Sequence, residues 1–495
     1  MTAPLWTFDD AVAATGATRE DAPGGVAVHA IDGVSIDSRS VAAGDLFVAL
    51  TDQRDGHEFV EAAFVAGAAA ALVRDDYARR PGDGMLLRVG DPLTALEALG
   101  RAARARTQAR IVAVTGSAGK TGTKEMLRAM LSANGATHAS DKSYNNHWGV
   151  PLTLARMPAE TRYGVFEIGM NHPGEITPLT RMVRPHAAIV LNVLPVHIGQ
   201  FKDEAAIADA KAEIFSGLEP GSGGGGTALI NRDNRHAPRL INEAQAQGAS
   251  ITLFGSDETA DVQLRDLTMT PDGSRFTLEL GGTAWPIALA TPGRHIALNA
   301  LAALAACDVL GADVGSAAAA LGAVQAGAGR GARLLLKAPS SAPSNAATDH
   351  ATPDAPLLLI DESYNANPAS MAAVIHGMAL LPRADHPRRI AVMGDMLELG
   401  VHARTMHEGL ATPLEQAQID LVFTCGPQMK HLYERLPKAR RGAWCADAAT
   451  LYPALRAALE AGDAVMVKGS LGSRMGPIVE ALIKDLREAA PKAKS

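Results

Sequence analysis

IVAVTGSAGKTGTKEML, residues 111–127, opens on a run of β-branched residues that ends at Thr115, turns through glycine, and passes Lys120-Thr121 into a helix-forming stretch. Strand, glycine turn and helix in that order are the setting a phosphate-binding loop requires. Backbone N–H groups of the turn and the first helical residues can cradle phosphate oxygens, which makes Gly116, Ser117, Ala118, Gly119, Lys120, Thr121 and Gly122 the expected cradle. Lys120 would neutralise the β- and γ-phosphates and the Thr121 hydroxyl would meet Mg²⁺. The full G-x-x-x-x-G-K-[ST] spacing is not met, because Val114 stands where the first glycine belongs. A chance glycine turn is the alternative; the strand before it and the Lys-Thr pair argue for nucleotide binding.

In an open α/β sheet, ligands bind beyond the carboxyl ends of the strands. The next apolar runs therefore matter at their ends. YGVFEIGM (163–170) carries Glu167 near its end, and HAAIVLNVLPVHIG (186–199) places His197 past another buried run. A carboxylate inside a strand is unfavourable unless paired or metal-bound. Either residue alone would read as structural. With Thr121 they look like a shell for a hard cation. The stretch DEAAIADAKAEIFSGL (203–218) reads as a helix whose stripe holds Ile207, Ile214 and Leu218. Lys211 lies on that inward stripe, where a bare ammonium is unfavourable. Either it snorkels to solvent at the stripe's edge, or it is modified: a neutral amine can take up CO₂ to give a carbamate, an anionic oxygen ligand.

The rest of the chain sets the frame. At roughly 150 residues per domain, 495 residues suggest about three domains. Short β-branched runs alternate with Ala/Leu-rich stretches, the pattern of α/β units. Lys and Arg number 46 against 53 Asp and Glu, a net charge of −7, and aromatics are 4%. Both argue against a nucleic-acid surface. The scattered Cys307, Cys425 and Cys445 form no C-x-x-C, which fits a reducing compartment. The N-terminus has no basic, apolar leader and no stretch approaches a membrane span, so a cytoplasmic protein without stable membrane insertion is expected. Boundaries are read after the basic RAARARTQAR (101–110) and at the glycine-rich AGAGRGARL (326–334). The run KAPSSAPSNAATDHATPDAP (337–356) reads as a disordered surface insertion between two strands, and GSGGGG (221–226) as a loop before the strand TALIN.

The phosphate loop and the segments after it resemble the Mur ligases, ATP-dependent amide-forming enzymes of peptidoglycan precursor synthesis. TGSAGKTGTKE is similar to that family's shortened phosphate loop. KSYNNHWGVPLTL (142–154), EIGMNHPGEI (167–176), HIGQF (197–201) and AKAEIF (210–215) follow in the family's order. DESYNANPASM (361–371) and VMGDMLELG (392–400) are similar to the member that ends the series, adding D-alanyl-D-alanine to UDP-N-acetylmuramoyl-tripeptide through an acyl phosphate. The D-N-P-R motif of the diaminopimelate-adding member is absent.

The resemblance implies an α/β fold of three domains. A smaller N-terminal α/β domain, 1–108, would bind the UDP substrate. A central parallel sheet of P-loop type with helices on both faces, 109–329, would bind ATP. A C-terminal Rossmann-like α/β domain, 330–495, would bind the acceptor. It implies ATP and two Mg²⁺ ions as cofactors, Thr121, Glu167, His197 and Lys211 as metal ligands, and a carbamate on Lys211. Lys120, Glu167, His197, Lys211 and Arg330 are the catalytic set, with Arg330 reaching the γ-phosphate from the hinge. Asn299 is placed near the adenine, and Asp361 at the nucleotide. Tyr364, Asn365 and Asn367 would contact nucleotide or acceptor, Asp37, Ser38 and Arg39 the uridine side, and Asn145 and Asn146 the muramoyl side. No nucleic acid partner is implied, and a monomer is expected. Asp361, Glu362 and His402 are candidates for the base that deprotonates the acceptor amine, each equally readable as structural.

Two features depart from the family pattern. VKGSLGSRM (467–475) inserts Leu-Gly between Ser470 and Ser473, which leaves the role of Arg474 open, and the 337–356 insertion has no counterpart and is expected to be dispensable. Competing readings are another amide ligase of the superfamily, such as a folylpolyglutamate synthase-like enzyme, and a nucleotide switch protein. The missing N-K-x-D guanine-reading motif weighs against the switch.

Overall fold

The structure is a computed structural model that describes residues 4–22, 30–196, 198–221, 224–338 and 355–486. Among the described residues, three larger sheets follow one another along the chain. The expected α/β class is borne out in each.

The first sheet runs in the order Thr18–Glu20, Met85–Val89, Ala70–Arg74, Asp45–Val48, Gly33–Ser35, parallel except for its first strand. Helix Pro92–Arg106 closes one face. It starts at the side-chain cap of Asp91, with Pro92 in the first turn where a missing N–H is harmless. Its basic end lies at the expected first boundary, and there the structure adds something composition does not show. Arg104 is buried, donating from Nε to Val183 O (2.8 Å) and from a terminal nitrogen to Arg184 O (2.9 Å). The helix is therefore a docking element between the first and second sheets. Leu152 and Ala155 of helix Gly149–Ala155 complete the first core.

The second sheet has nine strands. Arg110–Thr115 lies inside it between Ala187–Val190 and Tyr163–Glu167, and seven strands from Val262–Thr270 to Thr137–Ala139 are mutually parallel. Gly273–Leu280 and Thr283–Leu289 add an antiparallel edge. The chain leaves Arg110–Thr115 first to one side and then to the other. That strand is the topological switch point, where the carboxyl ends open a crevice. Ile111 to Val114 are fully buried because helices cover both faces, at about 1.5–3 kcal/mol for each large side chain removed from water.

The third sheet orders Ala332–Leu336, Leu357–Glu362, Ala464–Lys468, Arg389–Gly394, Leu421–Cys425, Arg441–Cys445. All pairs are parallel except the first, a hairpin in which Leu336 faces Leu357. The 337–356 insertion joins those two residues; its central part, 339–354, lies outside the described residues. One continuous apolar cluster holds Ile111 and Phe166 of the second sheet together with Met396 and Leu399 of the third unit. At that seam Gly199 and Gly400 touch. A Cβ on Gly199 would come within 2.9 Å of Gly400 N. One helix differs from its reading: Glu204–Ala212 is α-helical, but 213–217 tightens into a 3₁₀ turn and Leu218 lies beyond it. Ile207 and Ile214 are nonetheless fully buried.

Candidate active site at the phosphate loop

Strand Arg110–Thr115 ends where expected, and helix Lys120–Ser132 begins at Lys120. Gly119 between them has φ +87°, and a Cβ there would lie 2.3 Å from the Asn299 amide. Both the backbone angle and that close approach demand glycine. Asn299, in helix Arg294–Val309, is thus packed directly on the phosphate loop. The loop is also clamped by a residue the sequence reading did not single out. Asn192 accepts from Ala118 N (2.9 Å), donates to Ala118 O (3.0 Å), and offers its own carbonyl to Ser117 N (3.1 Å). The Ser117 hydroxyl donates to Leu194 O (3.0 Å). The N–H groups of Ser117 and Ala118 are therefore engaged by Asn192. A helix leaves its first N–H groups without intrahelical acceptors, and the positive end of its dipole favours an anion there. The Lys120 ammonium donates to Gly116 O (2.9 Å). Desolvation draws its pKa below the usual lysine range; Glu167 opposes that shift and Arg330 adds to it.

Glu167 is the last residue of strand Tyr163–Glu167 and is 2% exposed. Its Oε2 accepts from the Thr121 hydroxyl (2.7 Å) and its Oε1 from the Asn145 amide (2.7 Å). Thr121 Oγ1 also lies 3.1 Å from the Ser143 hydroxyl, which accepts from Arg330 (3.0 Å). Residues 121, 143, 145, 167 and 330 thus form one hydrogen-bonded chain across the crevice. The strand-end reading expected Thr121 and Glu167 around one cation; the structure brings the two side chains into direct contact. Asn145, expected at the muramoyl side, holds Glu167 through its amide. Its neighbour Asn146 accepts from Gly149 N (2.9 Å) and braces the entry to helix Gly149–Ala155.

His197 lies outside the described residues. Lys211 is inward, as expected, and 4% exposed. Desolvation pushes its pKa well below the usual value, and the charge acting on it is that of Lys120, which repels. Among the described residues no three His, Cys, Asp or Glu side chains converge on a metal position. What is present, a hydroxyl and a buried carboxylate beside a phosphate cradle, suits a hard cation that keeps waters and takes few protein ligands.

The third unit brings Arg330 into the site and holds it from behind. The Arg330 guanidinium stacks 4.0 Å over the Tyr364 ring. Asp361 is buried, and its carboxylate accepts from Gly329 N (2.6 Å), Ser363 N (3.1 Å) and the Ser363 hydroxyl (2.6 Å). Those bonds tie Asp361 to the segment that carries Arg330. Asn367 likewise caps helix Pro368–Met378: its side chain accepts from Ser370 N (2.9 Å) while Ser370 bonds back to it. Both residues were expected as ligand contacts, and both are engaged in local structure. Asn365 accepts from Ala366 N through its side chain, and its carbonyl accepts from Lys468 (2.9 Å). Glu362 pairs with Lys468 at 3.1 Å, whereas His402 is exposed. Arg474 has φ +54° after the 3₁₀ turn Leu471–Ser473 that accommodates the extra Leu-Gly.

In the first unit, Asp37 caps the turn Ser38–Ser40 and forms a bidentate pair with Arg39 (2.9 and 2.7 Å). Arg39 holds the Asp37 carboxyl below the usual range; Lys142, from the loop before Ser143, adds a smaller pull. No described helix is long and apolar enough to cross a membrane.

Fold and site together define a nucleotide-binding α/β protein of P-loop type. Residues 114–307 match the family model described as the Mur ligase middle domain, and residues 350–471 that described as the Mur ligase, glutamate ligase domain. The chain is 33% identical over 459 residues to the UDP-N-acetylmuramoyl-tripeptide–D-alanyl-D-alanine ligase of Bacillus subtilis, covering 92% of this chain and 93% of that protein. To the Escherichia coli enzyme of the same name it is 35% identical over 460 residues, covering 91% and 94%. A crystal structure of MurF from Acinetobacter baumannii superposes with a TM-score of 0.78 at 28% identity, over 97% of this chain and 99% of that one. The chain belongs to the Mur ligase family.

Proposed function

We propose that the protein joins D-alanyl-D-alanine to UDP-N-acetylmuramoyl-tripeptide, converting ATP to ADP and phosphate and giving the UDP-muramoyl pentapeptide of peptidoglycan synthesis. The observation that carries this reading is the chain of Thr121, Glu167, Asn145, Ser143 and Arg330 at the carboxyl ends of the central strands. It joins a phosphate cradle to an arginine delivered by the third unit, as a phosphoryl-transfer site that closes between domains needs. Relatives spanning nearly the whole chain carry the name of this activity.

A carboxylate is a poor acyl donor because oxide would have to leave. Its oxygen therefore attacks the γ-phosphorus of ATP; the new P–O bond forms as the bond to the β-phosphate oxygen breaks, releasing ADP. The neutral amine of D-alanyl-D-alanine then attacks the acyl carbon, the C–N bond forms, and phosphate leaves with the former carboxylate oxygen. Both steps gather negative charge on phosphate oxygens. Lys120, the N–H groups of Gly119 to Gly122 and Arg330 are fixed positive groups aimed at that charge. Thr121 and Glu167, with His197 and Lys211 as further ligands, would hold Mg²⁺, which would neutralise charge on the phosphates.

Lys211 belongs to this reading as a carbamate. Its amine, desolvated and repelled by Lys120, favours the neutral form that adds CO₂ with loss of a proton, and the product would set an anion beside Lys120. Lys211→Ala then loses activity that short carboxylic acids restore; full activity without them overturns the carbamate. The three units take separate tasks: 1–108 the uridine nucleotide, 109–329 ATP and metal, 330–495 the acceptor. The reaction takes place in the cytoplasm. The test is release of ADP. It should require both the UDP-muramoyl tripeptide and D-alanyl-D-alanine, and turnover with either alone, or with glutamate as acceptor, would overturn the assignment.

A further inference from the structure

Lys124 lies one turn beyond Lys120 on helix Lys120–Ser132, and its side chain is 0% exposed. A buried ammonium persists only where its donors are matched. This one has three acceptors for its three N–H groups: Ser140 O at 2.6 Å, Lys142 O at 3.1 Å and Glu125 Oε1 at 3.0 Å. The two carbonyls belong to 140–148, a stretch with no helix or strand between Thr137–Ala139 and Gly149–Ala155. The one ammonium holds both carbonyls, so it ties residues 140 and 142 to the helix.

Ser143 comes directly after the pinned pair and touches both Thr121 and Arg330; Asn145, two residues further on, holds Glu167. The far end of the stretch is fixed independently, by Gly169 N donating to Asn145 O (2.8 Å) and by the Asn146 brace. Ser143 therefore sits between two clamps, of which Lys124 is the first.

We infer that Lys124 is a positioning residue for the Mg²⁺–nucleotide site: it fixes residues 140–142 so that Ser143 and Asn145 meet Thr121, Arg330 and Glu167. The inference rests on the proposed function for its account of turnover, but not for its account of metal-dependent nucleotide binding. Methionine matches lysine in length and volume and has no donors. In Lys124→Met we expect kcat to fall about a hundredfold, as for a sub-ångström to ångström displacement of positioned groups. The half-saturating Mg²⁺ concentration should rise at least fivefold, and the KM for D-alanyl-D-alanine should stay within twofold. The same variant should lose most of the gain in ADP affinity that Mg²⁺ confers, read by calorimetry without tripeptide or acceptor. Combined with Asn145→Ala, it should add less than threefold to the loss. Glu125→Gln, which removes only the half-exposed carboxylate, should behave as wild type.

The proposal is overturned if Lys124→Met keeps wild-type Mg²⁺ dependence, or if kcat falls with no shift in Mg²⁺ dependence and no coupling to Asn145. It is also overturned if Glu125→Gln reproduces the loss. Should Lys124→Met not fold, Lys124→Gln carries the same measurements; failure of both to fold makes Lys124 a requirement of the fold and overturns the positioning role. If the wild type shows no acceptor-dependent turnover, the functional reading fails while the ADP–Mg²⁺ titration still decides the role of Lys124.

Discussion

The carboxyl edge of the central sheet and that of the third sheet carry similar chemistry and use it differently. At the central edge, Thr121, Glu167, Asn145, Ser143 and Arg330 are linked side chain to side chain across the crevice, beside the N-terminus of helix Lys120–Ser132. At the third edge, Asp361 accepts from Gly329 and Ser363, and the Asn367 side-chain oxygen accepts from Ser370 N. Polar residues at strand ends thus serve two ends. Where they face each other across a crevice they make a site, and where they meet nearby backbone N–H groups they make the hinge and cap that deliver a neighbour, here Arg330. Composition cannot separate the two, because the same side chains do both.

The largest expected effect sharpens this contrast. Lys120→Met or Glu167→Ala should lower kcat by about 10³ or more in the coupled ADP assay, since each removes fixed charge at the transferring phosphate or its metal. Lys120→Met should leave the unfolding midpoint near that of wild type, whereas Glu167→Ala also strands the Thr121 hydroxyl and the Asn145 amide and should lower it modestly. Asp361→Ala should do the reverse in proportion. It strands the Gly329 N–H and the Ser363 groups, at about 2–4 kcal/mol read from urea unfolding, with a smaller, tenfold-range loss of activity through a looser Arg330. A hundredfold kcat loss with unchanged stability would erase the distinction drawn between the two edges. Asn367→Ala should be milder still, about 1 kcal/mol for a lost helix cap, with kcat within twofold.

A smaller effect depends on pH. His186 accepts from Ile111 N at 3.0 Å, and burial with nearby Arg110 lowers its pKa from 6.5 to about 4. Between those values the unfolded chain binds the proton and the folded one does not. Its contribution is therefore whole above pH 6.5 and is lost as pH falls toward 4. His186→Gln should flatten that limb of the melting curve against pH. The smallest effect expected is at the insertion. Because Leu336 and Leu357 already face each other in a hairpin, replacing 339–354 by a short turn should leave turnover within twofold; its loss in a folded variant would show that the insertion has a task.

Much of the central edge was legible in the chain itself. The run ending at Thr115 and the carboxylate at Glu167 follow from strand patterning and the switch-point rule. The same rule, applied to IVLN, would have found Asn192, which ends the next apolar run. Lys124 was legible too: it follows buried Thr123 and precedes buried Leu127 on the helix, the inward-lysine signal already read at Lys211. Ser143 offered no such signal, because a serine in an irregular stretch is ordinary until Thr121 and Arg330 converge on it. The resemblance placed Asp361, Asn367 and Asn145 in ligand roles; the structure adds the local partners each has, Gly329 and Ser363, Ser370, and Glu167.

By itself, the sequence determined the alternation of strands and helices, the phosphate loop and its neighbouring carboxylate, and the family. Those depend on local patterning and on residues a few positions apart. Only the tertiary structure decided which polar groups were already satisfied. Hydrogen bonds join Arg330 to Ser143, Asn192 to Ala118 and Arg104 to Val183 across long stretches of chain. A buried polar group is defined by the partner it finds, and that partner is fixed by packing.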